Sequence, residues 1–468
     1  MHETIEGVDM KILILGAGQV GTSVAAALPV EDENDIPVVD RDLIRLRELT
    51  EKLDIRVVTG HASLPSVLTQ AGIEEADLLV AVTSSDEVNM IACQIAAQQA
   101  KAPTRVARLR EQEYLSLAHQ KFAGKSAVTA AISPEQLVCK HVERLIATPG
   151  ALQVLDFAEG RAQLVAVRAV HGGALVGHEI RELRRHLPQG MDVRVAAIFR
   201  GGQAVKPEGI TVIESGDEVF FLAHQSAIKA MMNELRLADK RLTKRIFISG
   251  GGGIGRRLAK KLESRYSVKV LERSRDRARA IAEDLLNTIV LVGDCADEDL
   301  LREENIDQTD VYCALTNDDE ANILSAMLAK RLGCPRVVAL INRASYAELV
   351  EGSTIDIAIS PQSVTLSALL SHIREGEPER VYSLRRGAAE AIEVVVRGDR
   401  RSSRVIGREL DDLELPESTT IGGIVRGDSL LIAHHDVMVE AGDHIILFVT
   451  NKRDLPAVIA LFKEVDWR

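Results

Sequence analysis

The sequence is poor in aromatic residues and in cysteine, and it has no long hydrophobic run. Phenylalanine, tyrosine and tryptophan together make up 3% of the 468 residues. The five cysteines are odd in number and form no C-x-x-C pair, so a reducing compartment is expected rather than a disulfide framework. The longest apolar runs, such as IILFV at 445–449, have the length of a strand, whereas a membrane-spanning helix needs about 20 apolar residues.

Common catalytic and metal-binding patterns are also missing. The chain contains no G-x-S-x-G, no G-x-x-x-x-G-K-[ST] and no H-x-x-x-H with an accompanying carboxylate set. The formal net charge of −12 disfavours general binding to nucleic acid or to anionic membranes. An acidic lead precedes the first apolar run, so we expect no signal peptide. We therefore assign no catalytic residues and no metal ligands, and we expect no nucleic-acid partner.

The sequence contains an internal duplication. KILILGAGQVG and RIFISGGGGIG each join an apolar run to G-x-G-x-x-G, and a helix-like run follows both. The similarity continues far beyond these glycines, without gaps inside each block. The aligned blocks are 57–96 with 290–329, 132–137 with 359–364, and 196–222 with 422–448. A repeat of this length indicates two copies of a two-part unit.

Each copy alternates β-branched runs with helical patterns and then continues into short β-runs separated by R-G and G-D turns. The predicted fold class is α/β, with two Rossmann-like parallel-sheet domains, each followed by a small α+β lobe. In the first copy the predicted strands are KILIL, IPVVD, RVVTG, LLVAVT and RVARLR. The predicted domains are residues 10–134, 135–235, 244–372 and 373–468, and the charged stretch 233–245 links the halves.

The first glycine-rich loop has the pattern of a dinucleotide site. Gly16 permits the tight turn out of the strand, Gly18 lets a pyrophosphate approach the backbone, and Gly21 lets the helix pack on the sheet. Asp40 ends the next strand, where a carboxylate would accept hydrogen bonds from a ribose diol and repel the extra phosphate of NADP. The alternative is a tight turn in a sheet that binds no ligand.

The second loop carries the same pattern with more glycine. Gly250, Gly252 and Gly255 hold the three signature positions, and Glu272 is the corresponding acid. Gly251 and Gly253 make this loop more flexible. It is either a second nucleotide site or a degenerate copy kept for its fold.

Polar residues follow the fourth strand of each copy. Thr83 and Ser84, and Thr316 in the second copy, are candidates for ligand contact. Asp86 and Asp319 are predicted to cap the helices that follow. Arg108, at the end of RVAR, either reaches a phosphate or adenine group or is a surface arginine.

Together with RVARLR, the segments VTSSDEVNMIACQIA, NIDQTDVYCALTNDDEANILSAMLAKRLG and AISPQSVTLSALL carry a family resemblance. The chain resembles the TrkA family of bacterial Trk-system potassium uptake proteins, in the form with two tandem RCK (KTN) units, each a TrkA-N plus a TrkA-C segment. The resemblance runs from Met10 to the C-terminus. The chain departs from the family pattern at Gly253, where the second loop usually has a polar residue.

The resemblance implies a regulatory subunit that binds NAD(H) and, as regulatory ligands, ATP and ADP, and that catalyses no reaction. It implies a cytoplasmic location, peripheral on the inner face of the cell membrane, a membrane-spanning Trk transporter subunit as partner, and a homo-oligomer, expected to be a tetramer forming a ring of RCK units. By resemblance, the contacts in the first half fall on Gly16, Ala17, Gly18, Gln19, Val20, Asp40, Thr83, Ser84 and Arg108. In the second half they fall on Gly250, Gly251, Gly252, Gly253, Ile254 and Glu272.

Two other functions fit the same sequence. One is a nucleotide-sensing regulator of a different ion channel or exchanger. The other is an NAD-dependent oxidoreductase with its substrate between the lobes, although the small lobes offer no evident general acid or base.

Overall fold

The computed structural model describes most of the chain, in segments separated by short gaps. These segments are residues 11–27, 36–99, 104–118, 121–122, 125–188, 191–236, 244–350, 354–373, 378–384, 389–432 and 437–463. Met10, the expected start of the first domain, and residues 237–243 of the expected linker lie outside them. Two compact units divide the chain, namely Met1–Leu137 with Pro361–Arg374, and Val138–Ser360 with Glu375–Arg468.

The strands are short, as is usual for a parallel α/β protein. Their bounds are β1 Ile12–Leu15, β2 Val38–Asp40, β3 Val57–Thr59, β4 Leu78–Ala81, β5 Thr104–Arg108, β6 Lys121–Phe122, β7 Lys125–Ser126, β8 Ala130–Ile132, β9 Ala151–Phe157, β10 Ala162–Arg168, β11 Val193–Arg200, β12 Gln203–Val205, β13 Glu218–Ala223, β14 Arg245–Ser249, β15 Ser267–Glu272, β16 Ile289–Val292, β17 Val311–Ala314, β18 Val337–Leu340, β19 Ile357–Ile359, β20 Pro378–Leu384, β21 Ala389–Val395, β22 Thr419–Arg426, β23 Ser429–Ile432 and β24 His444–Val449.

Helices separate most of the parallel strands. Their bounds are α1 Gln19–Ala27, α2 Leu43–Thr50, α3 Pro65–Gln70, α4 Asp86–Gln99, α5 Gln112–Ala118, α6 Pro134–Ala147, α7 Leu183–His186, α8 Gln225–Leu235, α9 Gly253–Leu262, α10 Arg275–Asp284, α11 Glu298–Glu303, α12 Asp319–Arg331, α13 Ala344–Leu349, α14 Pro361–Ile373 and α15 Leu455–Phe462. Among the described residues, no helix combines the length and the apolar character that crossing a membrane requires.

The first parallel sheet has six strands in the order β3-β2-β1-β4-β5-β8. Every residue of β1 and β4 is buried, because helices cover both faces of the sheet. The strand order reverses between β1 and β4, and the first glycine-rich loop follows β1, so the loop lies at the switch point where such sheets bind ligands. The five predicted strands are confirmed, and β8 is a sixth that the sequence patterns did not indicate.

The second parallel sheet repeats this arrangement in the order β16-β15-β14-β17-β18-β19. All of its strand pairs are parallel, and the second glycine-rich loop again follows the first strand, β14. The equivalent helices α4 and α12 both follow the fourth strand of their sheet. The duplication predicted from the sequence is therefore present as two Rossmann-like sheets with the same strand order.

Two long helices, α6 and α14, each follow one parallel sheet in the chain and contact a helix of the other half. Helix α6 follows β8, but its Cys139 Sγ donates to the carbonyl oxygen of Ile254 in α9, at 3.3 Å. Helix α14 follows β19, but its Gln362 Nε2 donates to the carbonyl oxygen of Gln19 in α1, at 3.2 Å. Leu369 of α14 is buried in the core that α1 covers. Each of these helices therefore contacts the glycine-loop helix of the other half.

The two small lobes are five-stranded antiparallel sheets in the second compact unit. Their strand orders are β12-β11-β13-β10-β9 and β20-β21-β24-β22-β23. One apolar core contains side chains from both lobes, including Phe157 and Leu222 of the first and Val425 and Phe448 of the second. With α7, α8 and α15 beside these sheets, the predicted class of Rossmann-like domains followed by α+β lobes is confirmed.

The repeated R-G and G-D turns of the small lobes hold a buried ion pair. Arg200 donates to both oxygens of Asp217 at 2.8 and 2.9 Å, and Arg426 binds Asp443 at 2.8 Å twice. These hydrogen bonds raise the pKa of both guanidinium groups, and each aspartate is almost fully buried. Such two-pronged pairs fix the turn geometry. The sequence patterns indicated the turns but not the pairing.

Candidate functional site

The first glycine-rich loop has a geometry that only glycine fits at two of its positions. Gly16 has φ of +108°, in the left-handed region, and a Cβ there would lie 3.0 Å from the backbone of Thr83. A Cβ on Gly21 would lie 1.8 Å from the carbonyl oxygen of Gly16. A Cβ on Gly18, in contrast, would meet nothing within 4 Å. The loop thus closes tightly at both ends and leaves open space at its centre.

Asp40, at the end of β2, fixes the first loop. Its Oδ2 accepts the backbone N–H of Ala17 at 2.6 Å, and its Oδ1 accepts that of Asp42 at 2.9 Å. Each carboxylate oxygen has a further lone pair beyond these bonds. Asp40 can therefore hold the loop and still accept a hydroxyl hydrogen bond. Ala17 and Val20 are buried, whereas Gln19, at the start of α1, is exposed.

The second loop reproduces these contacts. Gly250 has φ of +99°, and a Cβ on Gly255 would lie 1.9 Å from the carbonyl oxygen of Gly250. Glu272 accepts the N–H of Gly251 at 3.0 Å and that of Ser274 at 2.9 Å. A Cβ on Gly252 would meet nothing within 4 Å, as at Gly18.

The second loop also differs from the first. A Cβ on Gly251 would lie 2.3 Å from the Ile281 side chain, whereas the first loop has Ala17 at this position. Arg277 lies 3.5 Å from Glu272, which is 6% exposed. The acid of the second loop is therefore more enclosed and has a cation beside it.

A buried asparagine organises the wall of each crevice opposite the loop. In the first half, Asn89 Oδ1 accepts the backbone N–H of Thr83 at 3.0 Å and its hydroxyl at 2.7 Å, and Asn89 Nδ2 donates to the carbonyl of Arg108 at 2.8 Å. In the second half, Asn322 accepts the same two groups of Thr316 at 2.9 and 2.6 Å. Ser84, next to Thr83, is exposed. The asparagines tie the ends of neighbouring strands together.

These asparagines were missed as site residues, although the sequence contained a signal for them. Both end the matched segments TSSDEVN and TNDDEAN, so a polar residue recurs at one position of the repeat. Neither side chain has measurable exposure. A buried amide repeated in two copies needs fixed hydrogen-bond partners.

The capping role predicted for Asp86 and Asp319 is wrong. Asp86 accepts the N–H groups of Arg110 and Glu111, at 2.7 and 2.9 Å, just before α5. Asp319 likewise accepts N–H groups of Asn342 and Arg343, just before α13. The cap of α12 is the preceding residue, Asp318. Both acids are buried and anchor the loop after the fifth strand, because they accept its backbone N–H groups.

Arg108 is a partly buried cation at the edge of the first crevice. Its Nε is buried and has no hydrogen-bond partner among the described residues, and the same is true of Oε2 of Glu135 in the first turn of α6. Burial lowers the pKa of Arg108, and the nearby positive charge of Arg110 lowers it further. Arg108 is thus not simply a surface arginine, and Glu135 is a further polar group that the sequence analysis overlooked.

The equivalent of Arg108 in the second half is Leu340, whose carbonyl accepts Asn322 Nδ2 at 2.9 Å. Leu340 is 3% exposed. The second crevice therefore has an apolar side chain where the first has a guanidinium.

His61 and the five cysteines take no part in the polar contacts described above for the two crevices. His61 Nδ1 lies 2.8 Å from the hydroxyl of Ser63, and all five cysteines are buried without a disulfide. The described segments contain no group of three or more His, Cys, Asp or Glu side chains placed to hold a metal ion. Hydrogen-bond donors and acceptors for an organic ligand are what the two crevices offer.

Comparison with known proteins supplies the family. The model described as the TrkA-N domain matches residues 12–134 and 246–361, and the TrkA-C domain matches 164–236 and 400–463. The Trk system potassium uptake protein TrkA of Vibrio alginolyticus is 54% identical over 97% of this chain and 99% of its own length. That of Halomonas elongata is 53% identical over 97% and 99%. A TrkA homolog of Archaeoglobus fulgidus is 32% identical over 94% and 97%.

Solved structures share the fold at lower identity. A crystal structure of the GsuK RCK domain aligns with a TM-score of 0.60 at 21% identity, covering 98% of each chain. The GsuK channel bound to NAD aligns with a TM-score of 0.60 at 20% identity, covering 98% of this chain and 81% of the channel. With both domain models matched twice and relatives above 50% identity over nearly the full length, the chain belongs to the TrkA family of Trk system potassium uptake proteins.

Proposed function

We propose that this chain is a nucleotide-sensing regulatory subunit of a Trk-type potassium uptake system. The observation that carries the proposal is the pair of glycine-rich crevices, each with an acid at the end of the second strand, in a chain of the TrkA family. The relatives are named as potassium uptake proteins and not as enzymes. A binding role fits crevices whose described residues offer hydrogen-bonding groups to a ligand.

The first crevice would bind NAD(H), with ATP or ADP as regulatory ligands. Within the segment from Gly16 to Gly21, the backbone N–H groups at the start of α1 would meet the phosphates, and Asp40 offers a carboxylate to a ribose diol. Thr83 and Ser84 line the opposite wall, and the unpartnered Nε of Arg108 would meet a phosphate or the adenine. The NAD-bound GsuK channel has the same fold, which supports a dinucleotide as ligand.

The second crevice would bind a nucleotide through the segment from Gly250 to Gly255, with Glu272 and Thr316. The same N–H geometry and the same Asn322 contacts support this assignment. Because Leu340 replaces Arg108, this crevice lacks a guanidinium at the end of its fifth strand, and its remaining nearby cation, Arg277, lies beside the carboxylate of Glu272. We therefore expect it to bind polyphosphate nucleotides more weakly than the first.

The partner would be the membrane-spanning Trk transporter subunit, and the chain would lie in the cytoplasm against the inner face of the membrane. We propose a tetramer that forms a ring of RCK units, since a unit with two different faces closes naturally into a cycle. The domain boundaries at 10–134, 135–235, 244–372 and 373–468 belong to the same proposal. Nucleotides would act by population shift, each favouring the ring geometry to which it binds more tightly.

The decisive experiment is an equilibrium titration of the full chain with NADH, with ATP as competitor, counting sites per chain. Asp40→Asn should weaken binding at one site, and Glu272→Gln at the other. Asp54→Asn is the matched control, because Asp54 is exposed and lies outside both crevices. Saturable binding without NADH oxidation supports a sensor, and steady NADH oxidation with a small carbonyl compound would favour an oxidoreductase.

The choice of partner needs a second measurement. Co-purification of the chain with the Trk membrane subunit from native membranes supports the proposal. Recovery with a different channel or exchanger instead would keep nucleotide sensing and reassign the partner.

A further inference from the structure

An arginine of the second Rossmann-like domain binds the bend that joins α6 to β9, the first strand of the first small lobe. Arg336, directly before β18, donates from its two terminal nitrogens to the carbonyl oxygens of Leu145 and Ala151, both at 2.6 Å. A longer contact of 3.5 Å reaches the carbonyl of Thr148. Leu145 lies in the last turn of α6, and Ala151 is the first residue of β9. A cation is well placed here, because the last carbonyls of a helix lack intrahelical partners and carry partial negative charge.

The segment that Arg336 contacts is a sharp bend between α6 and β9. Gly150 has φ of +90°, and its carbonyl accepts Arg236 Nη1 at 2.8 Å. The bend joins α6 to β9, so its geometry sets how the first small lobe continues from the helix. Two guanidinium groups therefore fix this joint, one from the end of α8 and one from the second Rossmann-like domain.

The strand that follows Arg336, β18, ends at the second crevice. Strand β18 is four residues long, about 13 Å at 3.3 Å per residue. At its far end, the carbonyl of Leu340 accepts Asn322 Nδ2, and Asn322 also binds the backbone and hydroxyl of Thr316. Gly250 abuts this wall closely, since a Cβ on it would lie 2.8 Å from Leu315 and Thr316 backbone atoms. One short strand thus joins the crevice wall to the joint of the small lobe.

The first half has a different residue at the position of Arg336. The register of the fifth strands aligns Arg105 with Val337, which places Thr104 at the position of Arg336. A threonine is too short to reach several carbonyls of a neighbouring helix end. The arginine near the start of the fifth strand in the first half is Arg105, one position later, and its Nε donates to the carbonyl oxygen of Ala127, which lies between β7 and β8.

We infer that Arg336 is a positioning residue that couples occupancy of the second glycine-rich crevice to the first small lobe. The inference rests on the proposed function, since it needs a nucleotide in that crevice. A ligand that tightens the Thr316–Asn322 wall holds β18 more firmly, and Arg336 passes this restraint to the bend at 145–151. Arg336 itself touches no ligand.

The test combines hydrogen–deuterium exchange with binding, using the full chain and NADH, then ATP, as probes. In the unaltered protein, NADH should slow exchange over residues 145–157 about tenfold, a typical size for coupling between sites. Arg336→Gln should bind the same number of NADH molecules with unchanged affinity but lose that protection. Arg336→Lys, which keeps the charge with fewer donors, should restore part of it. Arg265→Gln is the control, because Arg265 also binds α6, through Glu143, without touching β18.

The outcomes separate the coupling from the function beneath it. Two filled sites with equal protection in Arg336→Gln and the unaltered chain overturn the coupling and leave nucleotide sensing intact. Two filled sites with no protection of 145–157 in the unaltered chain overturn it as well. If neither nucleotide binds the second crevice, the proposed function of that crevice fails and the coupling falls with it. If Arg336→Gln does not fold, Arg336→Lys decides by the same criterion.

Discussion

The two Rossmann-like halves share their glycine closures and asparagine contacts and differ in side chains around their crevices. The Asn89 and Asn322 contacts to threonine match within 0.1 Å, and the glycine closures at Gly21 and Gly255 are equally tight. The differences lie at the edges of the crevices, where Arg108 is replaced by Leu340. The two copies thus share the residues that build a glycine-rich crevice and differ in side chains at its edge.

The largest effects should come from the shared glycines. Gly21→Ala and Gly255→Ala each place a methyl group within 2 Å of a carbonyl oxygen, at 1.8 and 1.9 Å. Because backbone must move to admit the methyl group, each should lower the free energy of unfolding by about 3 kcal/mol. Urea unfolding followed by circular dichroism measures this cost.

Gly18→Ala and Gly252→Ala are the matched controls, since a Cβ meets nothing within 4 Å at either position. Each should leave stability unchanged within about 0.5 kcal/mol. Each should nevertheless weaken NADH binding, because the methyl group would occupy the space left for a pyrophosphate. Equal destabilisation by all four variants would contradict the geometry described for these loops.

The asparagines should come next. Asn322→Ala removes the acceptor of the Thr316 N–H and hydroxyl and the donor to Leu340, leaving buried groups unpaired. The expected cost is about 2 to 3 kcal/mol. Asn89→Ala should cost as much in the first half, and urea unfolding compares the two. A cost at only one asparagine would mean that the halves do not depend equally on this contact.

Local patterns predicted most of the sheets and loops, because each strand and glycine signature is encoded by neighbouring residues. The five predicted strands of the first sheet are one such case. The repeat, which gives Glu272 the position equivalent to Asp40, is another. Contacts between distant segments were not predictable in this way. Gln362 reaches Gln19 because α14 packs on α1, and no local pattern records that choice.

The turns of the small lobes were predicted, but the ion pairs that hold them were not. R-G and G-D marked the turns of the small lobes, but the bond between Arg200 and Asp217 depends on how β11 and β13 pair.

Asp86 was assigned to its own helix because capping is the commonest role of an acid at a helix start. Its partners are instead the N–H groups of Arg110 and Glu111, which the fold brings close to it from 24 and 25 residues away.

The two long helices α6 and α14 should differ in their response to acid. Burial, with a smaller effect of Arg144, lowers the pKa of His141 in α6 from 6.5 to about 4. The unfolded chain therefore takes up this proton first as the pH falls. The contribution of the neutral His141 to the free energy of unfolding is fully present above pH 6.5 and is lost as the pH falls towards 4. The loss should reach about 2 kcal/mol, discounted for partial exposure.

Unfolding in urea at a series of pH values between 7 and 4 measures this loss. His141→Gln should flatten the dependence, whereas His178→Gln, at an exposed histidine, should leave it unchanged. The repeat places Ala368 of α14 at the position of His141, so the first unit should lack this acid response. A pH dependence that survives His141→Gln would assign it to other groups.

The smallest effect tests the difference between the crevices directly. Arg108→Leu gives the first crevice the side-chain type that the second has at Leu340. If the unpartnered Nε of Arg108 meets the ligand, ATP affinity at the first site should fall about tenfold, since a charged hydrogen bond contributes about 1.5 kcal/mol. Arg47→Leu, on an exposed face of α2, is the control. Competition titrations should then give two sites of similar ATP affinity, whereas sites that stay as different as before would show that the guanidinium does not set the difference.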